Sequence, residues 1–168
     1  DPSLYEFLLQ SARSGPFIVA KQEPDASSYG VLITDESDFL RDLVEKPEHS
    51  ENRLVSTGTL FLPRRFFPYV EAVKPSPRGE LEVTDALLAF AREEKLKAVE
   101  YPGFWTDVGY FWNYLHASQY ALEHLMLEKS EGVVEDFVVV KGKLHLGKGS
   151  VIKSGTYIEG NAFVGENA

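Results

Sequence analysis

The chain has 168 residues, enough for one domain or for one and a half, and 43% of them are hydrophobic, which is sufficient for a packed core. Its net charge of −9 argues against a nucleic acid or an anionic membrane as the partner. The chain has no cysteine, which excludes disulfides and thiolate metal sites, and no apolar run approaches the ~18 residues of a membrane span, so we expect a cytoplasmic protein.

The first part of the chain alternates helix and strand signals. An N-cap pattern at Asp1, followed by apolar residues at helical spacing, predicts a helix to about Arg13. The run GPFIVAKQE predicts a strand. Two runs of strand-forming residues on either side of the polar turn 35–38 predict a hairpin over 31–45.

The same alternation continues to about residue 128. Two further strands and three further helices are predicted, in this order: RLVSTGTLFLP (strand), RRFFPYVEAV (short helix), GELEVTDALLAFAREEK (helix), LKAVEYPG (strand) and a helix from Tyr110 to about Glu128. Such a succession predicts an α/β sheet with covering helices.

From Val134 onward the apolar pattern has a period of six. The lead residues are Val134, Val140, Leu146, Ile152, Ile158 and Val164. Helices have no such period, whereas in a hexapeptide β-helix each unit forms one flat side of a triangular coil with its lead residue pointing inward. An ordinary β-meander is the alternative. Because so short a solenoid exposes an open end, we expect the chain to be a fragment at both ends.

The stretch GFWTDVGYFWNYL sets one acid, Asp107, among aromatic rings. An ionised carboxylate in apolar surroundings is costly unless something pairs with it. A solvated loop, a basic side chain and a metal ion are the candidate partners. A purely structural role, as the N-cap of the helix that begins near Tyr110, is the alternative.

The order of these motifs resembles the sugar-phosphate nucleotidyltransferases of the glucose-1-phosphate thymidylyltransferase kind. The motifs are YGVL, VEKP, STGTLFLP, GELEVTDAL and FWTDVGYFWNYL, followed by hexapeptide repeats. The resemblance is to the archaeal bifunctional type, whose C-terminal left-handed β-helix carries an acetyltransferase. It implies the sugar-binding part of a Rossmann-like domain with a mixed sheet over 1–130 and the first β-helix coils over 131–168. The family's Gly-rich loop and its Gly-Asp pair are absent, and we expect both upstream of Asp1.

The family reaction joins a sugar 1-phosphate to the α-phosphorus of a nucleoside triphosphate and releases pyrophosphate. The sugar phosphate is the nucleophile, so catalysis consists of positioning and of charge neutralisation by Mg²⁺ and cations. The resemblance implies that Glu45 accepts hydrogen bonds from sugar hydroxyls, that Lys46 meets the phosphate, and that Asp107 is a Mg²⁺ ligand. Because adjacent side chains of a strand point to opposite faces, the chain must bend near Pro47 for Glu45 and Lys46 to share a site. A solvated hairpin end is the alternative for this pair.

Further substrate-binding residues are implied on neighbouring elements: Tyr29, Gly30, Ser56, Gly58, Glu80 and Trp105. Gly30 would let the backbone approach a hydroxyl, small residues at 56 and 58 would leave room for the sugar, and aromatic rings would exclude water. Glu80 is preferred to Glu82 as the sugar contact. Strand-entry or packing glycines, and acids that favour a helix N-terminus, are the alternatives.

The resemblance leaves the sugar and the base open. It implies a homo-oligomer, with a trimer through the β-helix as the form that such repeats often adopt. Two other functions stay open: a non-catalytic sugar-phosphate-binding or regulatory module of the same family, and an acyltransferase carried by the β-helix.

Overall fold

The computed structural model describes residues 3–76 and 79–168, so the predicted N-cap at Asp1 lies outside the described residues. The chain divides into two compact units, Asp1–Trp105 and Thr106–Ala168. This division precedes the domain boundary that the sequence predicts at residue 130. Within the described ranges, no helix has the length and apolar character needed to cross a membrane.

The first unit contains the alternating helices and strands that the sequence predicts. In chain order they are α1 (Ser3–Ser11, continued by a 3₁₀ turn Ala12–Ser14), β1 (Phe17–Gln22), β2 (Gly30–Thr34), β3 (Leu40–Glu45), β4 (Leu54–Phe61), α2 (Phe67–Glu71, preceded by a 3₁₀ turn Arg64–Phe66), α3 (Val83–Glu93) and β5 (Lys97–Glu100).

The five strands form one mixed sheet in the order β3-β2-β4-β1-β5. Strands β1 and β5 run parallel, and the other neighbours are antiparallel. The first four residues of β1 are all buried, because both faces of the sheet are covered. The mixed sheet with covering helices that the sequence predicts is therefore present.

Each face of the sheet has its own apolar core. On one face, Ile18 and Leu32 pack with Leu87 and Phe90 of α3. The strand residues that alternate with these point to the other face, where they pack with α1 and with the segment after β5. They are Phe17, Val19, Val31 and Val55, and the segment contributes Tyr101. The alternation of strand side chains thus decides which residues face α3.

The second unit begins with α4 (Phe111–Tyr120), which continues as a π-helical turn over Ala121–Leu125. The helix predicted to reach about Glu128 therefore ends a few residues earlier. Seven short strands follow: β6 (Lys129–Ser130), β7 (Val133–Val134), β8 (Val139–Lys141), β9 (Leu144–Leu146), β10 (Val151–Ile152), β11 (Tyr157–Glu159) and β12 (Ala162–Val164). The side-chain amide of Asn161 donates to the carbonyl of Leu122 at 3.1 Å, which ties this helix to the strands of the same unit.

Residues 129–168 form a parallel coil, which we call the C-terminal coil. Val133 pairs with Val151, Val139 with Tyr157, and Leu144 with Ala162, so partners in these three ladders lie 18 positions apart. The fourth ladder, where the coil begins, differs: Lys129 of β6 pairs with His145 of β9, 16 positions away. A register of 18 positions is the register of three six-residue sides per turn of the coil, as the period of six predicts.

The lead residues of the repeat differ in burial along the coil. Leu146 is fully buried and Ile152 is 7% exposed, which confirms the inward orientation at these positions. Val140, Ile158 and Val164 are half-buried. Val134 pairs with the buried Ile152 but is itself 44% exposed, because it lies in the first turn and packs against a coil turn on one side only.

Glycines allow successive turns of the coil to stack closely. A Cβ atom at Gly142 would lie 2.2 Å from the carbonyl oxygen of Gly160, and one at Gly147 would lie 2.6 Å from the backbone of Gly165. Real side chains do not approach backbone atoms so closely, so these positions admit only glycine without a shift of the next turn.

Candidate functional site

Three neighbouring strands bring together most of the residues that the sequence predicts for a site. Gly30, the first residue of β2, pairs with Glu45 at the end of β3. On the other side of β2, Val31 pairs with Val55 of β4, which sets Gly30 beside Ser56. Because adjacent strands lie about 5 Å apart, these residues lie within two strand spacings of one another.

The carboxylate of Glu45 lies over Gly30. A Cβ atom at Gly30 would lie 3.1 Å from Oε2 of Glu45, 3.5 Å from Cδ2 of Leu43 and 3.6 Å from Cγ2 of Thr84. Gly30 itself is buried. The absence of a side chain at this position therefore allows the carboxylate to rest against the β2 backbone, on the face covered by α3.

Thr84, in the first turn of α3, was not singled out by sequence reasoning. Its methyl group lies close to the position that a Cβ atom of Gly30 would occupy, so α3, β2 and β3 all contribute residues around Gly30. Thr84 is part of the motif GELEVTDAL, in which the sequence pattern indicated the glutamates.

The chain bends at Lys46, immediately after β3. Lys46 has φ of 44°, in the left-handed region, and its backbone N–H donates to the carbonyl of Tyr29 at 3.0 Å. A non-glycine residue pays about 1–2 kcal/mol for this conformation. The bend that the sequence predicts near Pro47 thus occurs one residue earlier, and the exposed Lys46 leaves the strand directly beside Gly30 and Glu45.

Strand β4 bulges at its predicted site residues. Its pairing with β1 shifts between Leu60 and Ser56, and inside this shift Gly58 has φ of 77°. The hydroxyl of Thr57 donates to the carbonyl of Val19 at 2.9 Å, and the N–H of Gly58 donates to Oγ of Ser56 at 3.3 Å. The alternative that Gly58 is a packing glycine is wrong, because no heavy atom of the described residues lies within 4 Å of a Cβ atom there.

Tyr29 and Trp105 form an edge-to-face aromatic pair. Their ring centroids are 5.6 Å apart at 64°, and both rings pack against Val31 and Val55. Since Val31 follows Gly30 on the strand, its side chain points to the face opposite the carboxylate of Glu45. The two rings therefore pack on the apolar core of that opposite face, and their substrate-binding role stays a prediction.

Glu80 is exposed in the loop before α3, where its backbone carbonyl accepts a hydrogen bond from the N–H of Ser76 at 2.8 Å. Glu82 sits at the helix boundary, and its carboxylate accepts a hydrogen bond from the Ser76 hydroxyl at 3.0 Å. The side chain of Glu82 makes no hydrogen bond that caps α3. The sugar-binding role of Glu80 stays a prediction.

Asp107 lies in the second unit and is exposed. Helix α4 begins at Phe111 with Tyr110 at its N-cap and has no side-chain cap, so the alternative role of Asp107 as an N-cap is wrong. The rings beside it are exposed too, with Tyr110 and Trp112 stacked at 4.6 Å between centroids. The carboxylate therefore meets solvent rather than an apolar interior.

Asp107 presents a single carboxylate to solvent. Within the described part of the chain, no group of three His, Cys, Asp or Glu side chains could hold a metal ion. Mg²⁺ keeps several waters and binds through one or two carboxylates. A single solvent-facing Asp on a loop is compatible with that mode of binding.

Comparison with known families decides the affiliation of the chain. The family model described as nucleotidyl transferase matches residues 5–124, which is most of the chain. The chain belongs to the nucleotidyl transferase family. The match spans both the sheet with its Gly30 and Glu45 pair and the segment that carries Asp107.

The curated proteins that this nucleotidyl transferase sequence matches are longer than the sequence itself. The bifunctional sugar-1-phosphate nucleotidylyltransferase/acetyltransferase of Sulfurisphaera tokodaii is 38% identical over 141 residues, covering 84% of this chain and 35% of that protein. A glucose-1-phosphate thymidylyltransferase of Streptomyces antibioticus is 31% identical over 142 residues, covering 84% and 39%. The chain thus spans a little over a third of the length of these two relatives.

Solved structures agree with the nucleotidyl transferase fold. A UDP-glucose pyrophosphorylase complexed with UDP-glucose matches with a TM-score of 0.63 and 24% identity, over 71% of this chain and 48% of that one, which shows the fold alone. A Bacillus anthracis protein, described as a glucose-1-phosphate thymidylyltransferase in complex with sucrose, matches with a TM-score of 0.58 and 27% identity. That match covers 76% of this chain and 50% of the other.

Proposed function

We propose that the protein transfers a nucleotidyl group from a nucleoside triphosphate to a sugar 1-phosphate, forming a nucleotide sugar and releasing pyrophosphate. The observation that carries this proposal is the carboxylate of Glu45 held against bare backbone at Gly30, one residue before the left-handed Lys46. An acceptor for hydroxyls and a cation for phosphate on successive residues match the two ends of a sugar phosphate. The names of the curated relatives support the same reaction.

The geometry gives each residue a separate task. A carboxylate accepts hydrogen bonds from two sugar hydroxyls at once, so Glu45 would fix the orientation of the ring. The ammonium of Lys46 would meet the phosphate as a point charge and draw its oxygen toward the triphosphate. The left-handed backbone at Lys46 breaks the alternation of the strand, which supports the proposal that both residues contact one substrate.

The proposed cofactor is Mg²⁺, with Asp107 as a ligand. When bound, such an ion neutralises charge on the triphosphate as pyrophosphate leaves. The contribution of this chain is to present the Asp107 carboxylate in solvent, where a hydrated ion can reach it. The open strand position at Gly58 would leave room for the sugar, and Glu80 is proposed as a further sugar contact.

A pyrophosphate-release screen of the complete protein over four nucleoside triphosphates and several sugar 1-phosphates tests the proposal. We expect one or a few pairs to react in the presence of Mg²⁺. Glu45→Gln should raise KM for the sugar phosphate about tenfold or more, because the amide loses the charge that strengthens its hydrogen bonds. Release from no pair at all would reject the transferase and favour a sugar-phosphate-binding module.

The C-terminal coil supports a second proposed function. The Sulfurisphaera tokodaii relative is named as an acetyltransferase as well, and the 18-position register fits a hexapeptide β-helix, which we propose is left-handed. We propose that this coil opens an acyltransferase part and joins subunits into a trimer. Thiol release from acetyl-CoA with an amino-sugar phosphate tests the activity, and light scattering of the complete protein tests the trimer.

A further inference from the structure

Lys21, near the end of β1, directs its ammonium group at two carbonyls far along the chain. Its Nζ donates to the carbonyl of Tyr101 at 3.1 Å and to the carbonyl of Gly103 at 2.7 Å. Hydrogen bonds from a charged donor are stronger than those between neutral groups. The proposed reaction makes no use of this half-buried lysine, so the two bonds require a separate explanation.

The two carbonyls belong to an irregular segment, residues 101–105, which we call the crossing segment. It begins where β5 ends beside β1, and at its other end Trp105 packs with Tyr29 at the start of β2. The segment therefore crosses the sheet face instead of following a strand. Backbone on such a path has no neighbouring strand whose N–H groups could donate to its carbonyls, so side chains must supply the donors.

Strand geometry explains why Lys21 supplies those donors. Ala20 accepts the N–H of Tyr101 at 2.9 Å, which places the start of the crossing segment next to β1. Lys21 shares the parity of Val19, whose side chain packs against Tyr101 on this face of the sheet. Burial raises the pKa of nearby Glu23, and the positive charge of Lys21 opposes that rise.

We propose that Lys21 is a positioning residue that fixes the crossing segment and so the approach of the chain to Asp107. Only one residue, Thr106, separates the end of the segment from that aspartate in the sequence. The proposal rests on the proposed transferase function, in which Asp107 binds Mg²⁺. Lys21 touches neither substrate nor metal in this scheme. Its effect passes through the backbone that it holds.

Lys21→Met removes both hydrogen bonds and keeps a long apolar stem. We expect kcat to fall about 10- to 100-fold, because a small misplacement of a catalytic group costs this much in rate. The Mg²⁺ concentration for half-maximal rate should rise, while KM for the sugar phosphate stays unchanged. Lys21→Arg, which keeps a charged donor, should recover part of the rate.

Two measurements separate a positioning role from a merely structural one. Amide hydrogen exchange of the Lys21→Met chain should speed up in residues 103–105, with exchange in α3 unchanged. Lys95→Met is the matched control, because Lys95 is exposed and its ammonium lies 5.2 Å from the ring centroid of Phe39 rather than on the crossing segment. This control should leave both exchange and kinetics as in the wild type.

The outcomes distinguish failure of this inference from failure of the proposed function. Unchanged exchange at 103–105 overturns the inference whatever the enzyme does. Faster exchange with unchanged kcat and Mg²⁺ dependence reduces Lys21 to a structural residue and also overturns it. A wild-type protein that transfers no nucleotidyl group rejects the proposed function, and the positioning role falls with it even where exchange responds.

Discussion

Gly30→Ala places one methyl group where the structure is most sensitive to it. That methyl would lie 3.1 Å from Oε2 of Glu45, closer than the 3.5–4.0 Å of a good nonbonded contact, and at ordinary distances of 3.5 and 3.6 Å from Leu43 and Thr84. The carboxylate ends a flexible side chain and can move by a few tenths of an ångström. Stability should therefore change by no more than about 1 kcal/mol, since alanine also reduces the conformational entropy of the unfolded chain.

Activity should respond much more strongly than stability. A hydrogen bond to a charged group contributes about 1.5–3 kcal/mol, so displacing Glu45 from the sugar should lower kcat/KM about 10- to 150-fold. Because Glu45 would bind the sugar in the ground state and in the transition state alike, the loss should appear mainly in KM for the sugar phosphate.

The assay is pyrophosphate release by the complete protein at varied sugar phosphate, with thermal unfolding measured in parallel. Gly165→Ala is the matched control: no heavy atom of the described residues lies within 4 Å of a Cβ atom at Gly165, and its backbone needs no left-handed conformation. A Gly30→Ala protein that folds and keeps a normal KM would refute the placement of the sugar beside Glu45.

Four further predictions follow from individual contacts. Asp107→Asn should keep the fold but lose about 3 kcal/mol of transition-state stabilisation, roughly a hundredfold in Mg²⁺-dependent rate, and a normal rate with normal Mg²⁺ dependence would reject the metal role. Lys46→Gly should stabilise the fold by about 1 kcal/mol in denaturant unfolding, because glycine adopts φ of 44° without strain. The same substitution should raise KM for the sugar phosphate at least about tenfold, because the ammonium group is lost. A loss of stability would contradict this account of the bend. Leu146→Ala should destabilise the C-terminal coil by about 2–5 kcal/mol in the same assay, whereas a loss below 1 kcal/mol would indicate that the coil interior is not packed. The N–H of Phe39 donates to the Asp35 carboxylate and lowers the pKa of Asp35 below its ordinary 3.8. The ionised carboxylate should therefore stabilise the hairpin turn above about pH 3.8, and this contribution should be lost as the pH falls below that value. An NMR titration of Asp35 with an unshifted midpoint would refute this.

The sequence predicted the strands well because their apolar runs are bounded by strong turn residues. It did not show which face of α3 is buried: Val83 and Leu87 lie at helical spacing, yet Val83 is 48% exposed, whereas Ala86, Leu87 and Phe90 are buried. A helix of three turns carries apolar residues on more than one side, and the choice between them depends on the sheet that it covers.

The candidate site was predictable as a set of residues but not as a geometry. The motif order indicated Gly30, Glu45 and Ser56, and strand pairing sets these residues side by side, while their role in binding stays a prediction. No local sequence pattern predicts that the bend occurs at Lys46, because its left-handed backbone is held by a hydrogen bond from its N–H to the carbonyl of Tyr29, which is distant in the sequence. The packing of Trp105 was missed for the same reason, because it depends on where the crossing segment runs.

The stacking of the C-terminal coil restricts how its length can change in evolution. Inserting one residue between Gly142 and Leu146 would turn every later side chain from interior to solvent and would oppose bulky residues at the positions that now admit only glycine. A gain or loss of six residues would keep the interior pattern but rotate all that follows by one side of the triangle. Only steps of 18 residues preserve both, so natural variants of this coil should differ in length by whole turns, and surface loops should absorb the remaining changes.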